Sequence, residues 1–335
     1  MTIIDALNRP LRHVRISVID QCNLRCTYCM PAEIFGPDYA FLPPNQLLSF
    51  EEIERLGKVF ASIGVEKIRL TGGEPLMRKG LPELIGKLLD IDGIEDVSLT
   101  TNGLLLGTYA ERLMEAGLRR INVSLDSLNP KTYGEMNGRS FPVDKVLRSI
   151  EKAAAIGMNI KINMVVQKGV NDQHIIEMAK YCFDKDYTLR FIEYMDVGNT
   201  NRWDLTQVVA SRQILALLQQ QHDLIPALAV EKGEVAKRYI YKGTNKEIGF
   251  ISSVTEAFCS DCNRARISAD GKLYTCLFAT TGTDIKQILQ GGCDDQVREA
   301  LMNIWLGRHD RYSEERSTRS GKRSSNKIEM SYIGG

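Results

Sequence analysis

The chain has 335 residues, enough for one large domain with appendages or for two domains. A hydrophobic share of 43% and a charged share of 25% are ordinary for a globular enzyme, and a formal charge of +1 argues against a generic nucleic-acid or membrane surface, since both need a clear basic excess. The opening Met1-Thr2-Ile3-Ile4-Asp5 lacks the basic region and long apolar run of a secretory signal, and no stretch has the apolar length of a membrane span, so a cytoplasmic setting is expected.

Through the first two thirds, short β-rich runs alternate with longer helix-period segments. Strands are predicted over Arg15–Ile19, Lys67–Leu70, Val97–Thr100, Ile121–Ser124, Lys161–Val165 and Arg190–Tyr194, with helices over Glu51–Ser62, Leu81–Leu89, Gly107–Ala116, Val143–Ala155 and Asp172–Phe183. Repeated strand–helix units imply a parallel sheet, curled or open, and six of them are fewer than the eight of a full barrel. The predicted C-terminal strand ends carry the unusual residues: Asp20 to Cys22, Thr71-Gly72-Gly73-Glu74-Pro75, Thr100-Thr101-Asn102-Gly103 and Ser124-Leu125-Asp126. That edge is where parallel α/β folds place their sites. After about residue 230 the pattern changes. Glu234–Tyr241 and Ile248–Ile251 read as a strand pair, and Ile267–Tyr274 as a hairpin, in a smaller layer that closes the sheet's open side. The division expected is an N-terminal arm (1–12), a core (13–230), a C-terminal region (231–310) and a polar, mobile tail (311–335).

Eight cysteines in a reducing compartment are metal ligands or core residues rather than disulfides. Six fall into two groups: Cys22, Cys26 and Cys29, then Cys259, Cys262 and Cys276. Cys182 and Cys293 stand alone in helix-like segments and read as small buried hydrophobes. For the first group the bland alternative is a zinc knuckle, but zinc takes four ligands and no fourth Cys or His lies nearby in sequence. Three thiolates fit a cubane iron–sulfur cluster with one open iron. The Cys-x3-Cys-x2-Cys spacing after a strand, with Tyr28 before the third cysteine, resembles the radical S-adenosylmethionine superfamily. In that family the open iron chelates the methionine end of S-adenosylmethionine and reduces it to a 5′-deoxyadenosyl radical. Thr71–Pro75 lacks the Gly-Lys-Ser/Thr of a phosphate loop and, alone, is also an ordinary strand-to-helix turn. It resembles the superfamily's glycine-rich loop, in which Gly73 would meet the cofactor's amino group. The same resemblance assigns Tyr28, Ser124 and Met195 to S-adenosylmethionine binding.

The second group also has only three thiolates, and a zinc site completed by His309 is its alternative. Phe258-Cys-x-x-Cys-Asn-Arg-x-Arg, Asp270-Gly271-Lys272-Leu273, Cys276-Leu277-Phe278 and the terminal Gly334-Gly335 together resemble the molybdenum cofactor biosynthesis protein A family, from about Arg12 to the last residue. The resemblance implies an incomplete (β/α)6 TIM-like barrel in an α/β fold, two [4Fe-4S] clusters and GTP 3′,8-cyclisation, the first step of molybdenum cofactor synthesis. It places Arg15, Arg69, Thr100, Lys161, Arg264, Ala265 and Arg266 on GTP, with Lys67 and Arg190 as lesser cationic candidates. It gives Arg264, Arg266, Gly334 and Gly335 a catalytic part. In the implied route the radical takes hydrogen from ribose C3′, the C3′ radical attacks guanine C8, and reduction of the resulting aminyl radical yields 3′,8-cyclo-7,8-dihydro-GTP. Partners implied are GTP, a flavodoxin- or ferredoxin-like electron donor and the next enzyme of pyranopterin synthesis; a homodimer is left open. Where the family reads Ser-x-Thr-Asp-Arg-Cys, this chain has Ser17-Val18-Ile19-Asp20-Gln21-Cys22, losing a hydroxyl and a positive charge near the first group. The other classes weighed are a peptide-modifying enzyme of the same superfamily and a zinc- or cluster-bearing electron carrier.

Overall fold

Alternation of aliphatic and polar residues drives the strands: in Asn159–Val166 every second side chain is buried and the others face inward to the site or outward. The computed structural model describes residues 2–229, 233–316 and 327–334. Six strands open the chain: β1 (His13–Ser17), β2 (Lys67–Thr71), β3 (Asp96–Thr101), β4 (Arg120–Ser124), β5 (Asn159–Val166) and β6 (Thr188–Glu193). Six more follow as β7 (Leu224–Pro226), β8 (Lys237–Tyr241), β9 (Glu247–Ile251), β10 (Arg264–Ile267), β11 (Lys272–Tyr274) and β12 (Thr283–Asp284). All lie in one sheet, ordered β12-β11-β10-β1-β2-β3-β4-β5-β6-β9-β8-β7.

The predicted six-stranded parallel run is there, and it is longer. β10 pairs parallel with β1, and β9 pairs parallel with β6, so the C-terminal region adds one parallel strand at each edge of the core. The smaller C-terminal region expected to close the open side joins the sheet itself, extending it from both edges. Neighbouring strands sit about 4.8 Å apart, so eight flat strands would spread over roughly 34 Å. Yet one cavity is lined by residues from all eight parallel strands, which requires the sheet to curl. Among the described residues β12 and β7 form its two ends and do not pair, so the barrel is partial.

Helices α1 (Phe50–Ser62), α2 (Leu81–Leu89), α3 (Leu106–Glu115), α4 (Pro130–Asn137), α5 (Val143–Ala155), α6 (Ile175–Asp184) and α7 (Ser211–Gln219) connect the core strands; α8 (Lys286–Gly291), α9 (Asp294–Leu306), α10 (Tyr312–Glu315) and α11 (Met330–Ile333) follow. The start of α1 is set by Ser49 and Glu52, each side chain accepting from the other's backbone N–H. Helix α4 is not among the predicted helices, and its signal is local: Asn129 Oδ1 accepts from the N–H groups of Lys131 and Thr132, and Pro130 sits at the first helical position. Cys182 is buried as expected, whereas Cys293 is exposed at the start of α9. No helix among the described residues is long and apolar enough to cross a membrane. Of the tail expected to be mobile, 311–316 and 327–334 carry α10 and α11; residues 317–326 and Gly335 lie outside the described residues.

Candidate active site

The loop after β1 brings Cys22, Cys26 and Cys29, all half-buried, to the wall of the large cavity. Its shape is fixed from behind. Arg25 Nη1 donates to the carbonyls of Cys22 (2.8 Å) and Leu24 (2.7 Å), and its Nε to Phe35 O (2.6 Å). The Arg25 and Thr27 N–H groups donate to the last carbonyls of α4, at Asn137 and Met136. The glycine turn then packs directly on this loop. Gly73 N donates to Ile19 O (2.7 Å) and Glu74 N to Gln21 O (2.8 Å), and a Cβ on Gly73 would lie 2.1 Å from Gln21 O. Gly72, at φ +147°, has the Ile19 carbonyl 2.3 Å from where a Cβ would stand. The glycines are therefore required by the cysteine loop itself. The two departures from the family pattern, Ile19 and Gln21, are the residues whose carbonyls accept these bonds, while the Ile19 side chain joins the core.

Burial pushes the Cys22 thiol up to about 11, with Glu74 adding to it, and the Cys29 thiol up to about 12, with Cys22 and Glu329 adding. Cys26 is raised by burial and by both neighbouring thiols. Thiols crowded this way ionise when a bound cation compensates them. No trio of His, Cys, Asp or Glu among the described residues is arranged to share a single metal ion. A cubane asks for a different arrangement, one iron to each thiolate. Beside the loop, Tyr28 Oη donates to Asp126 Oδ2 (2.7 Å), while burial raises Asp126 to about 6 despite that bond. Glu74, buried and raised to about 7 by desolvation, accepts from Thr101 Oγ1, Asn102 N and Leu76 N.

Deeper in the cavity the strand register aligns cations. Arg266, Arg15, Arg69 and Ser98 are successive partners across β10, β1, β2 and β3, so three arginines occupy one layer. Arg190 on β6 and Arg264 on β10 line the same cavity. None of these five arginines has a carboxylate within ion-pairing distance among the described residues. Desolvation, with mutual repulsion behind it, lowers Arg15, takes Arg69 to about 9 and takes Arg266 to about 10. Buried like charges without counterions are costly, and a polyanion would relieve them. Thr100 Oγ1 and Asn163 Oδ1, also on the cavity wall, are buried without a hydrogen-bond partner among the described residues. Lys161 lies one strand layer away and does not line the cavity, although burial and Arg190 lower it to about 8. Ala265 is fully buried on the opposite face of β10 and packs in the core.

Cys259, Cys262 and Cys276 form part of the same wall. Burial would raise Cys262, but Arg264 and Arg308 outweigh it and bring the thiol down to about 6; Cys276 is pushed up to about 12 by burial. Arg264 Nη2 lies 3.4 Å from Cys262 Sγ, and its guanidinium stacks 5.2 Å from the Phe258 ring centre. Into this space comes α11. Met330 and Ser331 line the cavity, and Gly334 O accepts from Arg266 Nη1. Gly334 has φ +74° and packs so tightly on Thr71 that a Cβ would lie 2.1 Å from Thr71 Cγ2. Gly335 lies outside the described residues. The structure thus brings Tyr28, Gly73, Ser124, Met195, Arg15, Arg69, Thr100, Arg264, Arg266 and both cysteine groups to one cavity, and leaves Lys161 and Ala265 off its wall. Asp126 lay inside a strand-end motif already noted. Arg308, which also lines the cavity, had no local signal: it lies just past the end of α9, far from either cysteine group in sequence.

Comparison with known proteins accounts for both halves. Residues 16–182 match the radical SAM superfamily model, and 187–314 match the model described as Molybdenum Cofactor Synthesis C. A Staphylococcus haemolyticus protein named GTP 3′,8-cyclase is 50% identical over 334 residues, covering 99% of this chain and 98% of the relative. One of the same name from Staphylococcus aureus (strain JH9) is 49% identical over the same span. Among solved structures, Streptococcus suis SuiB bound to S-adenosylmethionine superposes with a TM-score of 0.64 at 16% identity, covering 96% of this chain and 73% of that one. At that identity the likeness concerns the fold.

Proposed function

The chain belongs to the radical S-adenosylmethionine superfamily, in the branch with a molybdenum cofactor synthesis region, and from that premise we propose that it acts as a GTP 3′,8-cyclase. One observation carries the reading. Two three-cysteine groups and five arginines without carboxylate partners among the described residues wall a single cavity, which suits a polyanionic nucleotide held between two metal clusters. In this reading Cys22, Cys26 and Cys29 hold one [4Fe-4S] cluster, and Cys259, Cys262 and Cys276 hold a second. Bound with S-adenosylmethionine at the first group, the cluster supplies one-electron, hydrogen-abstracting chemistry.

The chain's own residues do the rest. Gly73, Tyr28, Ser124 and Met195 surround the S-adenosylmethionine site. Arg15 and Arg69 take the triphosphate, helped by Thr100 and Arg190, because guanidinium forks bind phosphate oxygens bidentately. Lys161, set back from the wall, adds its charge to the same field. Arg264 and Arg266 orient the nucleotide beside the second group, and Ala265 between them keeps β10 seated against the core so that both arginines face inward. Gly334 closes over the substrate where no side chain fits, and the catalytic part expected of Gly335 falls outside the described residues. Positioning governs the outcome: ribose C3′ must face the abstracting centre and guanine C8 must face C3′, so that the new C3′–C8 bond forms before water or protein reacts. A flavodoxin- or ferredoxin-like donor, a reducing cytoplasmic compartment and a pyranopterin-forming enzyme that takes the product complete the proposal.

The test is anaerobic incubation of the reconstituted protein with dithionite, S-adenosylmethionine and GTP. Formation of both 5′-deoxyadenosine and 3′,8-cyclo-7,8-dihydro-GTP is expected. Cofactor cleavage without a cyclised nucleotide, with both clusters verified, would refute the substrate assignment.

A further inference from the structure

We propose that Asp5, Arg9 and Arg308 are positioning residues for the second three-thiol group, acting as a buried bolt that presets its shape; the inference rests on the reading of Cys259, Cys262 and Cys276 as ligands of a second cluster. The three charged side chains are almost wholly inaccessible: 0% exposed for Asp5, 1% for Arg9 and 2% for Arg308. Asp5 Oδ1 accepts from the N–H groups of Leu7 and Arg9, which folds residues 5–9 into a tight turn. Asp5 Oδ2 then binds both arginines, Arg9 Nε at 2.6 Å and Arg308 Nη1 at 3.2 Å.

What the arginines do with their remaining donors points to the cysteines. Arg9 Nη1 donates to Cys259 O (2.8 Å) and to Asp310 O (2.7 Å). Arg308 Nη1 donates to Cys262 O (2.7 Å). The third cysteine is reached through its neighbour: Thr275 Oγ1 donates to Asp310 Oδ2 (2.6 Å), which also lies 3.5 Å from Arg308 Nε. Four segments of the chain, at 5–9, 259–262, 275–276 and 308–310, are thereby tied to one another behind the thiols. Trp305 seals the back, its Nε1 donating to Arg9 O and its ring lying 4.5 Å from the Arg308 guanidinium.

Ordinary folding does not need two buried arginines spent on the carbonyls of metal-binding residues. Three thiols on two segments must be held at a cluster's spacing before it binds, and fixed supports behind first ligands do this. Without the Asp5 carboxylate, the Arg9 guanidinium stays buried with no carboxylate beside it among the described residues and Arg308 keeps only the part-exposed Asp310 at 3.5 Å, so both lose the charge that holds them against the carbonyls. The first group, held by Arg25 and the glycine turn, shares none of these contacts.

The experiment uses the full chain, reconstituted anaerobically, as wild type, Asp5→Asn, Arg9→Lys and Arg308→Lys. Iron and acid-labile sulfide per chain are measured, together with the spectroscopic change that S-adenosylmethionine induces at the first cluster. Wild type is expected to hold about eight irons. Asp5→Asn should fall to about four while keeping the cofactor-induced change, which also certifies its fold. The lysine variants keep the charges but cannot reproduce the guanidinium's separate donors, which join Asp5 to two carbonyls at Arg9 and to one carbonyl at Arg308; they should form both clusters and lose the second several-fold faster under chelator. Should Asp5→Asn not fold, the lysine variants decide. Iron content, chelator kinetics and second-cluster potential all equal to wild type would overturn the inference. A wild type with about four irons would instead defeat the two-cluster reading, and the inference with it.

Discussion

Glu74 and Asp126 are acids placed where water does not reach, and each is raised by burial, to about 7 and about 6. Their sign of linkage is opposite to that of a salt-bridged acid. Between the unfolded carboxyl range near 4 and these raised values, the native state binds more protons than the unfolded one, so stability falls as pH rises through that window. Thermal unfolding of the metal-free protein should therefore show a midpoint that declines from about pH 4.5 to about pH 7. In Glu74→Gln the decline should be shallower, with a lower midpoint throughout, because the amide turns one N–H toward the donors Thr101, Asn102 and Leu76, a mismatch of about 1–3 kcal/mol. An unchanged slope would mean that Glu74 already titrates as in the unfolded chain. Gly73→Ala is the sharper change. Its Cβ meets backbone at 2.1 Å and 2.4 Å, not a flexible side-chain tip, so the cysteine loop must move. Reconstituted Gly73→Ala should hold less than half the iron of the first group while the second is retained.

At the level of elements, the register of β10, β1 and β2 stacks Arg266, Arg15 and Arg69, a pattern that weakens the empty protein for the sake of its ligand. Arg15→Gln should raise the unfolding midpoint of the substrate-free protein and weaken GTP binding roughly ten- to a hundredfold, the range of one or two charge-assisted bonds. Calorimetric GTP titration beside a thermal scan reads both; a lower midpoint with unchanged affinity would show that Arg15 is structural. Strand edges like these were legible because alternation is local: β2 and β5 were read to within two residues, and α2 and α5 to the residue. α4 was missed because an eight-residue helix with little apolar periodicity shows only its Asn-Pro cap. The cysteines, the glycine turn and the terminal glycine were legible as spacing. Their supports were not, since Arg308 and Asp5 meet across 303 positions of sequence, and only the folded register makes them neighbours. Likewise, that Lys161 stands off the cavity wall while Arg190 lines it depends on sheet stagger, which no single strand reveals.

For the whole molecule, the C-terminal segment is fastened at Asp196, directly after Met195. Its carboxylate accepts from Tyr312 Oη (2.6 Å), Arg316 Nε (3.0 Å) and Lys327 Nζ (2.7 Å), and although desolvation opposes ionisation, these partners hold it below the usual carboxylate range. Asp196→Asn should speed amide exchange over 327–334 and reduce GTP conversion at least tenfold, with S-adenosylmethionine cleavage kept; unaltered exchange would place the anchor elsewhere. The pairing of β9 and β10 with opposite edges of the six-strand core has a consequence for how the protein is made. While the chain is being synthesised, β1 and β6 emerge long before their outer partners, so a nearly complete parallel sheet waits with two raw margins and an uncovered interior. Only when residues 247–267 leave the ribosome are both margins sealed, almost at once, by two strands some fifteen residues apart. The nascent core is thus most prone to self-association late in translation, and the same stretch of chain that seals it also delivers Cys259 and Cys262, two of the second group's three thiols, tying the end of that vulnerable interval to the assembly of the reaction chamber.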